Sequence, residues 1–497
     1  MSKVPREKKQ ATLGISLIPV IVIVAFLAVA IIVFETDPHI PILIGAAVGS
    51  LIAVYILGYK WEEIEAGIIT SIGSVMQAIL ILAIIGMLIG TWIAGGIVPT
   101  LIYYGLQILS PTFFLVTALI LCSIVALATG SSWTTAGTVG VALIGIAAGL
   151  GISIPLAAGC IVSGAYFGDK MSPLSDTTNL APAMAGSTLF DHIKHMMYTT
   201  GLSYGITALL FIILGLQYRG QELNASEIQG ILDAIKSIYT INPLFLLVPV
   251  ITIGAVAMKI PAIPGLILGV MLGGVCMIFQ GGDFGSMLNV IQNGTEAASG
   301  HAMVDELLTG GGMQSMMWTI SLIMCALTFG GVLESTGMMQ CIANKMLDKA
   351  KSTGSLILVT ILSCLFVNIL CADQYLGIAL PGKMFKDAYA ERGLAPRNLS
   401  RALEDSGTVT SALVPWNTCG ATMAAFLGVS TFAYAPFAFF NILSPIVSAL
   451  YGFIGFSIMT LEEDPASEQY VHKMKVKKSN KELQEYIENY QKKHANA

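Results

Sequence analysis

Apolar runs of about 20 residues, the length that crosses the hydrocarbon core of a bilayer, recur near 12–34, 40–58, 68–95, 199–217, 243–259, 261–280, 316–336 and 434–459. Four further stretches begin apolar, turn polar and become apolar again. Two of them, 112–150 and 355–390, have the centres Thr129-Gly-Ser-Ser-Trp-Thr-Thr135 and Asn368-Ile-Leu-Cys-Ala-Asp-Gln374. The other two, 154–190 and 397–430, are broken at 168–179 and 407–418. Each break holds a proline, Pro173 or Pro415, which removes a helix N–H and clashes with the preceding turn. The pattern predicts an all-α polytopic membrane protein. A membrane β-barrel would need short alternating segments instead.

Charge decides how these stretches run. Re-entrant hairpins at 112–150 and 355–390, with broken crossings at 154–190 and 397–430, put 22 of the 25 Lys and Arg residues on the side of the N-terminus, as the positive-inside rule requires. Arg219 and Lys236 fall outside, and Lys170 lies within the membrane. A full crossing at 355–390 would force the basic groups on its flanks onto opposite faces. The expected topology is about ten crossings plus two hairpins, with both termini inside. The basic Lys3–Lys9 region precedes an apolar run too long for a signal peptide and without a cleavage site, so it reads as a retained anchor.

An offset of 239 residues brings Gly168 onto Gly407, Ser172 onto Ser411 and Leu174 onto Leu413. Each half then reads span, hairpin, broken span, span, in opposite orientations, which is the inverted-repeat plan of many secondary transporters. The expected organisation is a cytoplasmic N-terminus at 1–11, two helices in 12–67 and a first repeat at 68–217. Outside loops with two linking helices follow at 218–315, then a second repeat at 316–460 and a cytoplasmic tail at 461–497. Ile228, Ile231, Leu232, Ile235 and Ile238 predict an interfacial helix, and Leu483, Ile487 and Tyr490 a short amphipathic one in the tail. Gly45 and Gly49 form a GxxxG that serves either helix packing or a homodimer.

Of the 497 residues, 55% are hydrophobic and 11% charged, and mean hydropathy is +0.78. Soluble domains run near 25% charged, so most of this surface faces lipid. The eight cysteines have no CxxC spacing and read as small core residues. No Walker A loop or nucleophile–base pair is present, so the sequence points to neither ATP-driven pumping nor an enzyme. No cofactor and no nucleic-acid partner is expected.

The polar breaks carry the candidate chemistry, because ionisable groups at membrane depth are expensive and mark ion or substrate paths. A carboxylate out of water is stabilised by either a proton or a cation, so Asp169, Asp373 and Asp405 are the candidates for exchanging H+ against Na+. Neutral or supporting ligands are Ser131, Thr134, Ser172, Asp176, Thr177, Asn179, Gln374, Ser411, Asn417 and Thr418. All offer oxygen, which suits a hard cation. Bland alternatives stand beside these roles. Membrane Ser and Thr often bond their own i−4 carbonyl, Asp169 can pair with Lys170 or Lys194, and Asp176 can cap a half-helix. Glu404 or Asp405 can be a solvated entrance charge, and His192 and His195 are ordinary interfacial histidines before they are pH sensors. Lys170 is expected to be the one buried cation.

Gly168-Asp-Lys-Met-Ser-Pro-Leu-Ser-Asp-Thr-Thr-Asn-Leu-Ala-Pro-Ala183 and Asp405-Ser-Gly-Thr-Val-Thr-Ser-Ala-Leu-Val-Pro-Trp-Asn-Thr418 resemble the NhaC-type sodium/proton antiporters of the ion-transporter superfamily. The similarity runs over roughly residues 12–460, without a departure at the motif positions. It implies Na+/H+ exchange by alternating access in a prokaryotic cytoplasmic membrane, on a fold with paired hairpins and discontinuous helices. The family includes a malate/lactate antiporter, so an Na+-coupled organic-acid exchanger is the alternative cargo reading. Half-helix N-termini would then hold the carboxylate, with Thr134 and Asn417 as contacts. A channel is a third class that hairpins alone leave open.

Overall fold

The computed structural model describes residues 8–34, 36–219 and 225–464, and these are helical nearly throughout. The helices are α1 (Leu13–Ala28), α2 (His39–Leu57), α3 (Trp61–Ser74), α4 (Met76–Ala94), α5 (Ile97–Ile108), α6 (Pro111–Thr129) and α7 (Ser132–Gly149). After these come α8 (Ile154–Met171), α9 (Asp176–Ala185), α10 (Leu189–Leu216), α11 (Ala225–Ile238), α12 (Leu247–Ala257), α13 (Ala262–Phe279) and α14 (Phe284–Asn293). The longer helices that follow are α15 (Met313–Ser335), α16 (Met338–Leu347), α17 (Thr353–Leu370), α18 (Gln374–Glu391), α19 (Pro396–Leu403), α20 (Thr418–Leu427) and α21 (Phe439–Ile454), with short helices at Ala302–Leu307 and Thr431–Tyr434. Among the described residues eight helices are long and apolar enough to cross a membrane, or ten if each of two bent pairs is one span. The protein is a polytopic helical membrane protein.

The expected span 68–95 is two helices, because the chain kinks at Val75 (φ −110°) between α3 and α4. Two short helices escaped the hydropathy reading. α5 and α16 follow the left-handed glycines Gly96 and Gly337 and are too short to span. α11, the expected interfacial helix, buries Ile231 and Ile235 and forms a bent pair with the 243–257 segment, at 93° to it. The helix expected around Leu483 lies outside the described residues. The GxxxG is used within the chain: a Cβ on Gly45 would meet Ile23 at 2.9 Å and one on Gly49 would meet Val332 at 3.1 Å.

Helix caps give the repeat a firmer register than residue identities do. N-caps pair as Ser110 with Ser352, Ser131 with Asp373, Ser153 with Ala395, Ser175 with Asn417 and Thr188 with Ser430. Left-handed residues pair as Gly130 with Ala372, Gly151 with Gly393 and Gly186 with Gly428. Every pair is 242 residues apart. The expected offset of 239 is therefore short by three. Three residues are nearly one helical turn, so residues on one face still match after the slip, and the identities could not reveal it.

Candidate functional site

The first hairpin ends α6 at Gly130, whose left-handed backbone (φ 68°) lets the tip touch the break in the neighbouring helix. A Cβ there would sit 2.6 Å from the Leu174 carbonyl carbon. Ser131 then starts α7, its Oγ accepting the Thr134 N–H at 3.1 Å. The tip is buried from Ser132 to Thr135, so it ends inside protein and not in water.

Asp169, in the last turn of α8, accepts both the Ser132 N–H (3.0 Å) and the Ser132 hydroxyl (2.7 Å). The carboxylate thus sits on the N-terminus of α7, where free N–H groups and the helix dipole favour an anion. α8 stops before Pro173, and the break is pinned on both sides. Ser172 donates to the Leu127 carbonyl at 2.8 Å, and Asn179 donates to the carbonyls of Pro173 (2.9 Å) and Ser175 (2.7 Å).

The second hairpin repeats the plan with different residues. Asp373, 1% exposed, caps α18 by accepting the Leu376 N–H at 3.0 Å, and Thr418 donates to its other oxygen at 3.4 Å. Asn417 caps α20 through the Cys419 N–H (3.0 Å) and donates to the Asn368 carbonyl (3.0 Å). Asn368 in turn donates to Gly407 O and Thr410 Oγ1. Ser411 donates to its own Thr408 carbonyl at 2.5 Å.

Between the hairpins lies a buried ion pair. Lys170 donates to Asp405 and, at 2.9 Å, to Ser444, with both charged side chains fully enclosed. Thr199 donates to the same Asp405 oxygen at 3.1 Å. Asp405 is therefore neither a solvated entrance charge nor free of a counter-ion, and Lys170 serves it instead of Asp169. Lys194 is exposed. Asp405 and its neighbour Glu404 sit in a π-turn, Glu404–Thr408, that continues α19. π-turns often mark functional positions.

A cavity of about 670 Å³ opens at the first hairpin tip. Of the expected site residues, Ser131, Asp169, Asp176, Thr177 and Gln374 line it. Thr134, Ser172, Asn179, Asp373, Asp405, Ser411, Asn417 and Thr418 do not; most of them fasten the hairpins and breaks. Gln374 comes from the second hairpin, so both repeats reach one space, and its buried Oε1 has no donor among the described residues. Ser175 and Tyr375 also line the cavity, and exposed Lys259 stands at its edge. Asp169 has no bonded cation among the described residues. Asp169, Ser131, Thr177 and Gln374 line one cavity, and all offer oxygen, the donor that a small hard cation takes.

Sequence reasoning missed that Glu404 is fully buried; its place beside Asp405, within an apolar crossing, was the available signal. It missed Arg401 too, a second fully buried cation, whose Nη1 donates to Ser457 O at 2.8 Å. Counted with the basic inside loops, Arg401 passed for a surface charge.

The profile of the Na+/H+ antiporter family matches residues 164–456, which takes in the first break, the second hairpin and the second break. The chain belongs to the Na+/H+ antiporter family. Its similarity to individual antiporters extends over nearly the whole length. The Na+/H+ antiporter NhaC of Alkalihalophilus pseudofirmus is 41% identical over 454 residues, 91% of this chain and 97% of that one. The arginine/ornithine antiporter ArcD of Halobacterium salinarum is 40% identical, covering 93% of this chain and 96% of that one. The malate-2H+/Na+-lactate antiporter of Bacillus subtilis is 38% identical, covering 88% and 94%. This antiporter scaffold thus occurs in proteins named for ions, amino acids and organic acids.

Proposed function

We propose that this antiporter exchanges Na+ for H+ by alternating access, with Asp169 as the group that holds the two in turn. The observation that carries this reading is a carboxylate that lines a cavity, is braced by the N-terminus of α7 and has no cationic partner among the described residues. Such a group is stabilised by a proton or by a cation, and the two compete. Ser131, Thr177 and Gln374 supply neutral oxygens beside it. The side carrying Lys60 and Lys259 is the cytoplasmic one on the positive-inside rule, with both termini on it, so this conformation opens inward. No cofactor is needed beyond the transported ions. Asp373 and Asp405 act instead as helix cap and salt-bridge partner.

One observation favours a second reading. A cavity of about 670 Å³ is in the range that holds small organic molecules, far larger than one Na+ needs. An organic acid or amino acid moving with the cations would fill it. Proteoliposomes with a pH-sensitive dye inside separate the two. Na+-driven H+ movement without added solute supports the first, and strict dependence on malate, lactate or arginine overturns it in favour of the second.

A further inference from the structure

We propose that Glu404 stores the exchanged proton, which reaches it from Asp169 through the hydroxyls of Ser175 and Thr177. The inference rests on the Na+/H+ reading and assigns that reaction a second carboxylate, one that does not touch the cavity. Thr177 Oγ1–H donates to Glu404 Oε1 at 3.0 Å, and the Ser175 and Thr177 hydroxyl oxygens are 3.1 Å apart. Ser175 is in turn a neighbour of the Asp169 carboxylate. Both hydroxyls line the cavity together with Asp169. A line of oxygens therefore runs from the cavity to a fully buried carboxylate.

Charge bookkeeping explains why that carboxylate needs a proton. The charged groups facing Glu404 are Lys170 and Asp169, with the Thr408 hydroxyl close by. The Lys170 ammonium is committed to Asp405 and Ser444, and Arg401 to Ser457. Glu404 has no bonded cation, and its Oε2 meets no donor among the described residues. Burying such a group as an unpaired anion is costly, and a proton on the free oxygen or on Oε1 removes that cost. The π-turn directs these consecutive acids to different partners, Glu404 to Thr177 on α9 and Asp405 to Lys170 on α8.

The transfer balances without any other reactant. Protonated Asp169 gives its proton to the Ser175 oxygen as Ser175 gives its own to Thr177. Thr177 passes its proton to Glu404 along the bond already present. Asp169 is left charged while the buried end is neutral. In the inward-facing state the reverse sequence brings the proton back to Asp169, where Na+ displaces it into the cavity water, so one H+ crosses inward for each Na+ that leaves.

Wild type, Glu404→Gln and Thr177→Val reconstituted in proteoliposomes test this. Two fluxes are read, Na+-driven H+ movement and the counterflow of labelled Na+ against unlabelled Na+ without a pH gradient. Glu404→Gln should lower the first by about a hundredfold, in the range of positioned proton-transfer groups, and leave the second within about twofold of wild type, because Glu404 does not touch the cavity. Thr177→Val, which keeps the shape of the side chain, should slow the proton flux in the same sense. Wild-type proton flux in Glu404→Gln overturns the inference while leaving Na+/H+ exchange intact. Equal loss of both fluxes in both variants overturns it too, since that marks a structural role. A wild type that moves no H+ with Na+ overturns the exchange reading itself.

Discussion

The Lys170–Asp405 pair ties α8 of the first repeat to the π-turn of the second, and its burial sets what breaking it costs. Both side chains are fully enclosed; Lys170 also donates to Ser444, and Asp405 also accepts from Thr199 and from Ser444. Lys170→Met removes the only cation bonded to Asp405 among the described residues. A buried pair broken from one side typically loses about 3–5 kcal/mol, since an unpaired charge is left behind. Asp405→Asn should cost a similar amount by stranding the ammonium. Removing both charges in Lys170→Met/Asp405→Asn leaves neither stranded, so the double variant should be more stable than the sum of the single losses predicts, by about 1–3 kcal/mol. Unfolding monitored by tryptophan fluorescence in detergent micelles, on all four proteins, supplies the cycle. Additive losses would refute the pairing. Asp405→Asn with wild-type stability and no proton flux would return Asp405 to the exchange machinery.

Three further outcomes follow from local geometry. Asn417→Ala removes a helix cap and the donor to the Asn368 carbonyl, a combined loss of about 2–4 kcal/mol in the same unfolding assay. Gly377→Ala drives a Cβ into the Asn368 Oδ1, so it should destabilise by about 1–3 kcal/mol through overpacking. Asp305 lies in the short helix Ala302–Leu307 within the loop between α14 and α15, and bonds from Ser299 Oγ–H and N–H and from Gly300 N–H hold its carboxyl below the usual range. A lowered folded value stabilises this loop at pH above the unfolded value near 4, and the contribution disappears as pH falls through the folded value. Protection factors at residues 295–311, with the intrinsic pH dependence of amide exchange divided out, should fall on going from pH 6 to pH 3, and Asp305→Asn should remove the difference.

The helical membrane fold was legible because apolar runs of spanning length are a strong signal, and the two hairpins because charge on their flanks allowed no other route. The cavity was half legible. Asp169, Thr177 and Gln374 stood out as polar residues in apolar surroundings, and they do line it. Asp373 and Asn417 stood out equally, yet they cap helices, because a cap and a ligand need the same oxygen at the same break. Which neighbour Lys170 chooses depends on a contact 235 residues away, and no local pattern encodes that. Glu404 and Arg401 were read as peripheral because their depth depends on how α19 packs beneath α18, which hydropathy does not report.

The 242-residue register has a consequence for the direction of transport. Applied to the cavity lining, it carries Ser131 to Asp373, Ser132 to Gln374, Asp169 to Ser411, Asp176 to Thr418 and Gln374 back to Ser132. If the two repeats trade conformations, the opposite vestibule is built from the second set. One vestibule then presents two acids where the other presents one. The two vestibules would then offer unequal charge to a cation, although the backbone halves match cap for cap.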